Sequence, residues 1–375
     1  MSHSTSGTLP YVPGLENIPA AETTISTIDT DAGKIWIRGF SLEELALQST
    51  YEEVLYLLIH GRLPDAETLS TFKQNIHEEW LIPQEIWDII TTLPRDTHPM
   101  DVLRTAISAL AGFDRELDNQ SHEANIRKAV RLVAKTGFIV GNLENIASGG
   151  VMGFRRELGH AANILQAILG RTAEDYEVKA FETAFILYIE HELAASTFAS
   201  RVIASTMTDI YGAVCGALSA LKGPLHGGAN EKALEIFQYD VAGAEKLVRD
   251  KLAAKERIMG FGHRVYRRGI DPRAQVMKNI LAELCKRHGD DRLYRVAVRV
   301  EELMASEKNL YPNLDFYVAP VYKILGIPPK LFTPLFAASR MAGWCAHVIE
   351  QQHDNRIFRP RALYRGARGI SYRRP

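Results

Sequence analysis

What most restricts the fold of this chain is how often its sequence marks where a helix begins and where it must stop. Ser41 with Glu44 and Thr50 with Glu53 are S/T-x-x-E pairs, each opening an apolar-periodic run, and each predicts a capping box. The second run, YEEVLYLLIHG, ends at Gly61 with Pro64 close behind, a helix stop. Asp271 before Pro272 predicts a cap and a first-turn proline. RAQVMKNILAELCKRHG then continues to a stop at Gly289, with Val276, Ile280 and Leu284 on its apolar face. The exception lies near the N-terminus, where TTISTIDTDAGKIWIRGF alternates on both sides of Asp31-Ala32-Gly33 and predicts a short β-hairpin. No repeat of fixed period and no low-complexity linker interrupts the pattern. The expectation is an all-α protein of many medium helices with one short N-terminal hairpin.

At 375 residues the chain is long enough for two domains and a large core. Its net charge of −1 argues against a general nucleic-acid binder, which needs a basic excess. The most apolar span, residues 180–221, is broken by Glu182, Glu190, His191, Glu192, Arg201 and Asp209, so it reads as buried helices and not as a membrane span. Cys215, Cys285 and Cys345 form no CxxC pair, which fits neither a disulfide framework nor a zinc ribbon. The N-terminal MSHSTSGTLPYVPG lacks the basic-then-apolar order of a secretory signal, and a cytoplasmic location is expected. From Arg356 to Arg374 there are seven arginines and no acid. Such a run is a solvated tail, in which one or two arginines could hold an anion.

The residues with chemistry to offer sit where the backbone is most permissive. In KGPLHGGANE, His226 lies between a Pro-Leu pair and two glycines. Asn230 is a good helix cap, and EKALEIF follows with helical spacing, so His226 is expected just before a helix N-terminus. The positive dipole end there would favour the neutral imidazole, a donor to an oxygen gaining charge. MGFGHRVY places His263 after two glycines. Arg273 sits in the first turn of a helix, where dipole logic disfavours a cation, so an anionic partner elsewhere is expected. Asp315 lies in the proline-bracketed LYPNLDFYVAP, where desolvation would raise a carboxylate pKa. FRPRALY adds Arg359 and Arg361.

Several familiar motifs fail. HELAA at His191 has Ala195 where a zinc protease needs its second histidine. GFGHRV has Val265 in the third glycine position and follows a helical run, not a strand. Neither a GxxxxGK[ST] loop nor a G-x-S-x-G elbow is present. Two histidines and an aspartate could also be a metal site. The arginines favour an organic dianion instead, because guanidinium forks match carboxylates. A carboxylate base beside neutral imidazole donors is suited to removing a proton next to a carbonyl and stabilising the enolate.

LKGPLHGGANE, IMGFGHRVYRRGIDPRA, LYPNLDFYVAPVYKILGIP and FAASRMAGWCAHVIEQQHDNRIFRPRALY together resemble the citrate synthase family. THPMDVLRTAISALAG and AAETTISTID extend the resemblance over almost the whole chain. The look is that of the short bacterial members, particularly those forming 2-methylcitrate. The resemblance implies a nearly all-helical homodimer with a large domain (residues 1–227 and 327–375) and an inserted small domain (228–326) that closes over the substrates. It implies condensation of oxaloacetate with acetyl-CoA or propionyl-CoA and hydrolysis of the thioester, with acyl-CoA as substrate, no cofactor and no metal. Residue by residue, it makes His226 the donor to the enol oxygen, Asp315 the base and His263 the donor to the oxaloacetate carbonyl. His191, Arg273 and Arg340 become further oxaloacetate ligands, and Arg359 serves the partner's site. Gly260, Phe261, Gly262 and Asn313 are expected to meet CoA. Many relatives read H-E-x-N-A-S-T where this chain has HELAAST, so Ala194 stands in place of an asparagine. Either the change is neutral or the hydrogen bonds around oxaloacetate differ. The rival readings are a metal-dependent hydrolase using His191, His226, His263 and Asp315, and a helical scaffold without chemistry.

Overall fold

The computed structural model describes residues 11–30, 32–262 and 269–372. β1 (Ser26–Asp29) and β2 (Lys34–Ile37) pair antiparallel, with Ser26 opposite Ile37 and Asp29 opposite Lys34. The chain turns back through Arg38 and Gly39, both at positive φ as a type I′ turn requires, and adds the two-residue β3 (Phe40–Ser41). The sheet therefore exceeds the expected hairpin by one strand, because the Arg-Gly pair is itself a tight turn. Ile25, Ile35 and Ile37 are buried and anchor the sheet on the helical body.

Among the described residues all other regular structure is helical. α1 (Leu42–Gln48), α2 (Tyr51–His60), α3 (Ala66–Glu78), α4 (Gln84–Thr92) and α5 (Pro99–Leu110) lead to the long α6 (His122–Ala147). α7 (His160–Leu169), α8 (Asp175–Tyr188), α9 (Ala195–Ala204) and α10 (Ile210–Leu221) follow. Next come α11 (Ala229–Ala233), α12 (Val241–Ala253), α13 (Pro272–His288), α14 (Arg292–Lys308) and α15 (Leu314–Ile324), and α16 (Phe332–His353) is last. The signals expected at Thr50, Gly61, Asp271 and Gly289 act at those ends. Thr50 and Glu53 close a reciprocal capping box, and Gly61 and Gly289 end α2 and α13 in the left-handed conformation. At Ser41 only the serine half of the box is made, its side chain accepting from the Glu44 N–H. On α13, Val276 and Leu284 are buried and Ile280 is half-buried, with Met277 and Leu281 widening the stripe.

The central element is α16, buried along nearly its whole length and packed against α2, α6, α8, α9 and α10. A helix apolar on every face belongs in the middle of a core. Ala337, Ala338, Gly343 and Ala346 let its neighbours approach closely. Its polar residues Arg340 and His347 stand two turns apart on one face, so both enter the interior on the same side. α11 to α15 pack mainly on one another and meet the rest through α1, α8 and α16. Among the described residues no helix is long and apolar enough to cross a membrane.

Candidate active site

His226 sits on the turn between α10 and α11. Its own N–H bonds to the Gly223 carbonyl (2.9 Å) and that of Gly227 to the Leu221 carbonyl (2.9 Å). A Cβ on Gly227 would come within 2.8 Å of that same carbonyl, so only glycine fits there. The helix whose N-terminus meets the imidazole is not the one that follows in sequence. α11 is only five residues long, whereas the first turn of α9 presents the Ser196 N–H to His226 Nε2 (3.4 Å) and the Ser196 hydroxyl to the same atom (2.8 Å). Asn230 likewise is no cap: Gly228 occupies that position, and Asn230 Oδ1 accepts from the Thr333 hydroxyl inside the core.

These bonds assign the histidine's proton. Trp344 Nε1 can only donate, and it donates to Ser196 Oγ (3.2 Å), so the serine's own hydrogen is directed to His226 Nε2. Nε2 is thus the acceptor and Nδ1 carries the hydrogen. Burial and the neighbouring charge of Arg340 lower the His226 pKa to about 4, so the ring is a neutral donor at physiological pH.

Asp315 stands in the first turn of α15. Its backbone N–H is capped by Asn313 Oδ1 (3.1 Å), and its Oδ1 accepts from the Tyr188 hydroxyl (2.6 Å). Burial raises its pKa to about 6, against the lowering pull of the Tyr188 bond and of Arg273 and Arg340. The result is a carboxylate that is ionised at neutral pH and more basic than an ordinary one.

Two arginines complete the cluster. Arg273 is buried, and one anionic partner is close by in sequence, while the carboxyl of Asp315 also feels its charge. The α13 cap Asp271 accepts from Nε (3.0 Å) and Nη2 (2.7 Å) in a forked pair, and this offsets the unfavourable dipole. Arg340 is 1% exposed. Its Nε donates to the Tyr188 carbonyl, while Nη1 has no acceptor among the described residues. A buried guanidinium hydrogen without a partner is costly, and an anion arriving there would remove that cost. Burial and the repulsion from Arg273 lower the Arg340 pKa to about 10, with Glu190 opposing, and it stays protonated.

The fold therefore brings His226, Asp315, Arg273 and Arg340 together, with Arg340 close enough to act on the titration of both His226 and Asp315. His191 lies buried on the loop between α8 and α9, five residues before Ser196. His263 falls outside the described residues. Arg359 stands apart in the exposed tail, its guanidinium donating to the Pro360 carbonyl. Gly260 and Gly262, both at positive φ, flank Phe261 in a loop stitched to the segment just before Asp315. The Asn313 N–H bonds to the Gly260 carbonyl (2.9 Å), and its side-chain amide to the Gly262 carbonyl (3.1 Å). A Cβ on Gly260 would lie 2.9 Å from that of Phe316, so the glycine sets how closely this loop approaches α15. Among the described residues no group of three or more His, Cys, Asp or Glu side chains is placed to hold a metal ion.

A neutral imidazole donor, a raised carboxylate and a buried guanidinium with an unmet donor thus stand in one buried cluster. The family model described as citrate synthase, C-terminal domain, matches residues 14–361. The chain belongs to the citrate synthase family. It is 46% identical to a citrate synthase of Heyndrickxia coagulans, over 96% of this chain and 97% of the relative. It is 45% identical to the citrate/2-methylcitrate synthase of Bacillus subtilis, with the same shares covered. Its fold matches the solved ternary complex of carboxymethyl coenzyme A and oxaloacetate with citrate synthase from Thermoplasma acidophilum. That match has a TM-score of 0.90 and 34% identity, and covers 96% of this chain and 97% of the other. As a citrate synthase family member the chain is an acyltransferase-type enzyme.

Sequence reading missed several residues of this cluster. Tyr188, Ser196 and Trp344 come from three different helices and lie in runs that look like ordinary core. Only their hydrogen bonds to Asp315 and His226 mark them, and those appear once the helices are packed. Asp271 was visible as a cap, but its second role as the Arg273 counter-ion was not.

Proposed function

We propose that this enzyme condenses oxaloacetate with acetyl-CoA or propionyl-CoA and hydrolyses the product thioester, releasing CoA. The observation that carries this reading is the buried Arg340, whose unmet donor belongs to a residue that acts electrostatically on both the neutral His226 and the basic Asp315. In this reading the acyl carbonyl is held by His226 Nδ1–H. Asp315, with Oδ1 fixed by Tyr188, uses its other oxygen to remove the α-proton. The enolate carbon then attacks the oxaloacetate carbonyl, for which the family resemblance supplies His263 as donor. Arg340, Arg273 and His191 hold the oxaloacetate carboxylates, and the partner's Arg359 completes the pocket. The loop Gly260–Gly262, next to Asp315, is the side from which CoA reaches the base. Residues 228–326 act as the small domain that closes over both substrates. The relative named citrate/2-methylcitrate synthase and the solved complex containing oxaloacetate and a CoA derivative support these assignments.

Acetyl and propionyl groups differ by one methylene, worth roughly 1–3 kcal/mol in an apolar pocket, or about 10–200-fold. Val318 and Ala319, one turn beyond Asp315, are small, so both acyl-CoAs should be substrates. Thiol release is measured with oxaloacetate and each acyl-CoA in turn, with and without a chelator. Turnover of both, insensitive to chelation, is expected. A kcat/KM for propionyl-CoA more than roughly 1000-fold below that for acetyl-CoA would replace this with a strict citrate synthase. No release from either acyl-CoA would overturn the reading.

A further inference from the structure

We propose that Ser26, on the N-terminal sheet, is a positioning residue that clamps the loop carrying His191 and so sets oxaloacetate affinity. Ser26 is 6% exposed, and its hydroxyl is used twice. It donates to Glu190 Oε1 (2.9 Å) and accepts from the Glu192 N–H (3.1 Å). These are the residues immediately before and after His191. Two residues further along β1, the Ile28 backbone lies close enough to the Glu192 carboxyl to oppose the rise in pKa that burial gives it. One strand thus holds both flanks of His191.

The loop needs such a hold. Glu192 is at φ +52°, in the left-handed region that non-glycine residues rarely adopt, and strain of this kind persists only where the surroundings enforce it. The surroundings are themselves rigid. Glu190 is fully buried, and its Oε1 also receives His347 Nε2 (3.0 Å). Arg201 Nη1 donates to His347 Nδ1 (3.0 Å), which fixes the proton of His347 on Nε2, facing Glu190. Arg201 is in turn bonded to Glu350 (2.7 Å) and Gln351 (3.0 Å), and Glu350 accepts from the Thr24 N–H (2.8 Å) at the foot of β1. The bonds run in a closed circuit from β1 through the α8–α9 loop and α16 back to β1. Ser26 is the member that touches both sides of His191.

The inference rests on the reading of His191 as an oxaloacetate ligand, and the test separates the two. In full-length enzyme, Ser26→Ala should raise the KM for oxaloacetate roughly 10-fold. The KM for acyl-CoA should stay within about twofold, and Ser26→Thr, which keeps the hydroxyl, should remain near wild type. His191→Ala and the double variant His191→Ala/Ser26→Ala should have the same oxaloacetate KM, because a positioning effect has nothing left to act on. If Ser26→Ala fails to fold, Ser26→Cys, which keeps the size with a weak donor and acceptor, carries the same expectation. An unchanged oxaloacetate KM, or full additivity with His191→Ala, would overturn the clamp alone. Absence of any oxaloacetate-dependent thiol release by the wild type would overturn the reading of the site, and the clamp with it.

Discussion

The carboxyl of Asp315 is held where its charge is disfavoured, and that one fact governs both its chemistry and its effect on stability. Its pKa rises from 3.8 to about 6 in the fold. Between those values the folded state holds a proton that the unfolded chain has lost, so stability falls as pH rises through this window. Above it the ionised group costs about 3 kcal/mol. Asparagine is neutral, like the protonated acid. Asp315→Asn should therefore abolish thiol release and also make the protein more stable than wild type at pH 8, with the gain fading towards pH 4. Urea unfolding at both pH values checks this, and an equal difference at the two would contradict it. Tyr188 acts in the opposite direction, since its hydroxyl donates to the charged form. In Tyr188→Phe the Asp315 pKa should climb further, moving the acid limb of kcat/KM up by roughly one pH unit. A limb that stays in place would show that the tyrosine does not tune the base.

Among the elements, α9 is where a short helix and the site depend on each other most closely. Its cap position is Ala194, whose side chain makes no cap bond, and one of its first-turn amides, that of the buried Ser196, is met by His226 instead. An asparagine at this place could cap the helix, which is a testable account of the position. Ala194→Asn should stabilise the fold by about 1 kcal/mol by accepting from the Thr197 N–H. Ser196 would stay bonded to His226, and kcat should change less than twofold. Chemical denaturation and steady-state rates test the two halves separately; a large loss of kcat would mean the new side chain had taken the Ser196 N–H. The same helix shows how far the sequence could be read. Caps and stops written within a few residues, as at Thr50, Gly61, Asp271 and Gly289, act as expected because they are local. The glycine turn of His226 was legible for the same reason. The donors onto His226 and Asp315 were not, because Ser196, Trp344 and Tyr188 meet their targets only after α8, α9, α15 and α16 have packed. Dipole reasoning at His226 was sound in kind but was applied to α11, the neighbour in sequence, when the neighbour in space is α9.

At the scale of the whole molecule the tail after α16 is the part that a single chain leaves unexplained. Its root is fixed: Asn355 Nδ2 donates to the Ser205 carbonyl (3.0 Å), the Phe358 N–H to Ser205 Oγ (3.1 Å), and the Phe358 ring meets Phe198 edge-on. Beyond that point Tyr364, Ile370 and Tyr372 are exposed at 57%, 82% and 86%, among arginines and without helix or strand. Large apolar groups on an extended arm find cover most simply on a second copy, and a two-fold dimer would exchange the arms symmetrically. Arg359, at the start of the arm, would then reach the partner's cluster and not its own. His226→Ala subunits and Arg359→Ala subunits should each be inactive as homodimers. Co-expressed under two affinity tags, they form heterodimers in which one site has an intact His226 of its own and an intact Arg359 from its partner. The other site has neither. Tandem purification isolates these heterodimers, and they should show about half the wild-type rate per dimer, since the two sites of a symmetric pair are equivalent. If Arg359 served its own subunit, each site would lack one residue and the purified heterodimers would be as inactive as either parent.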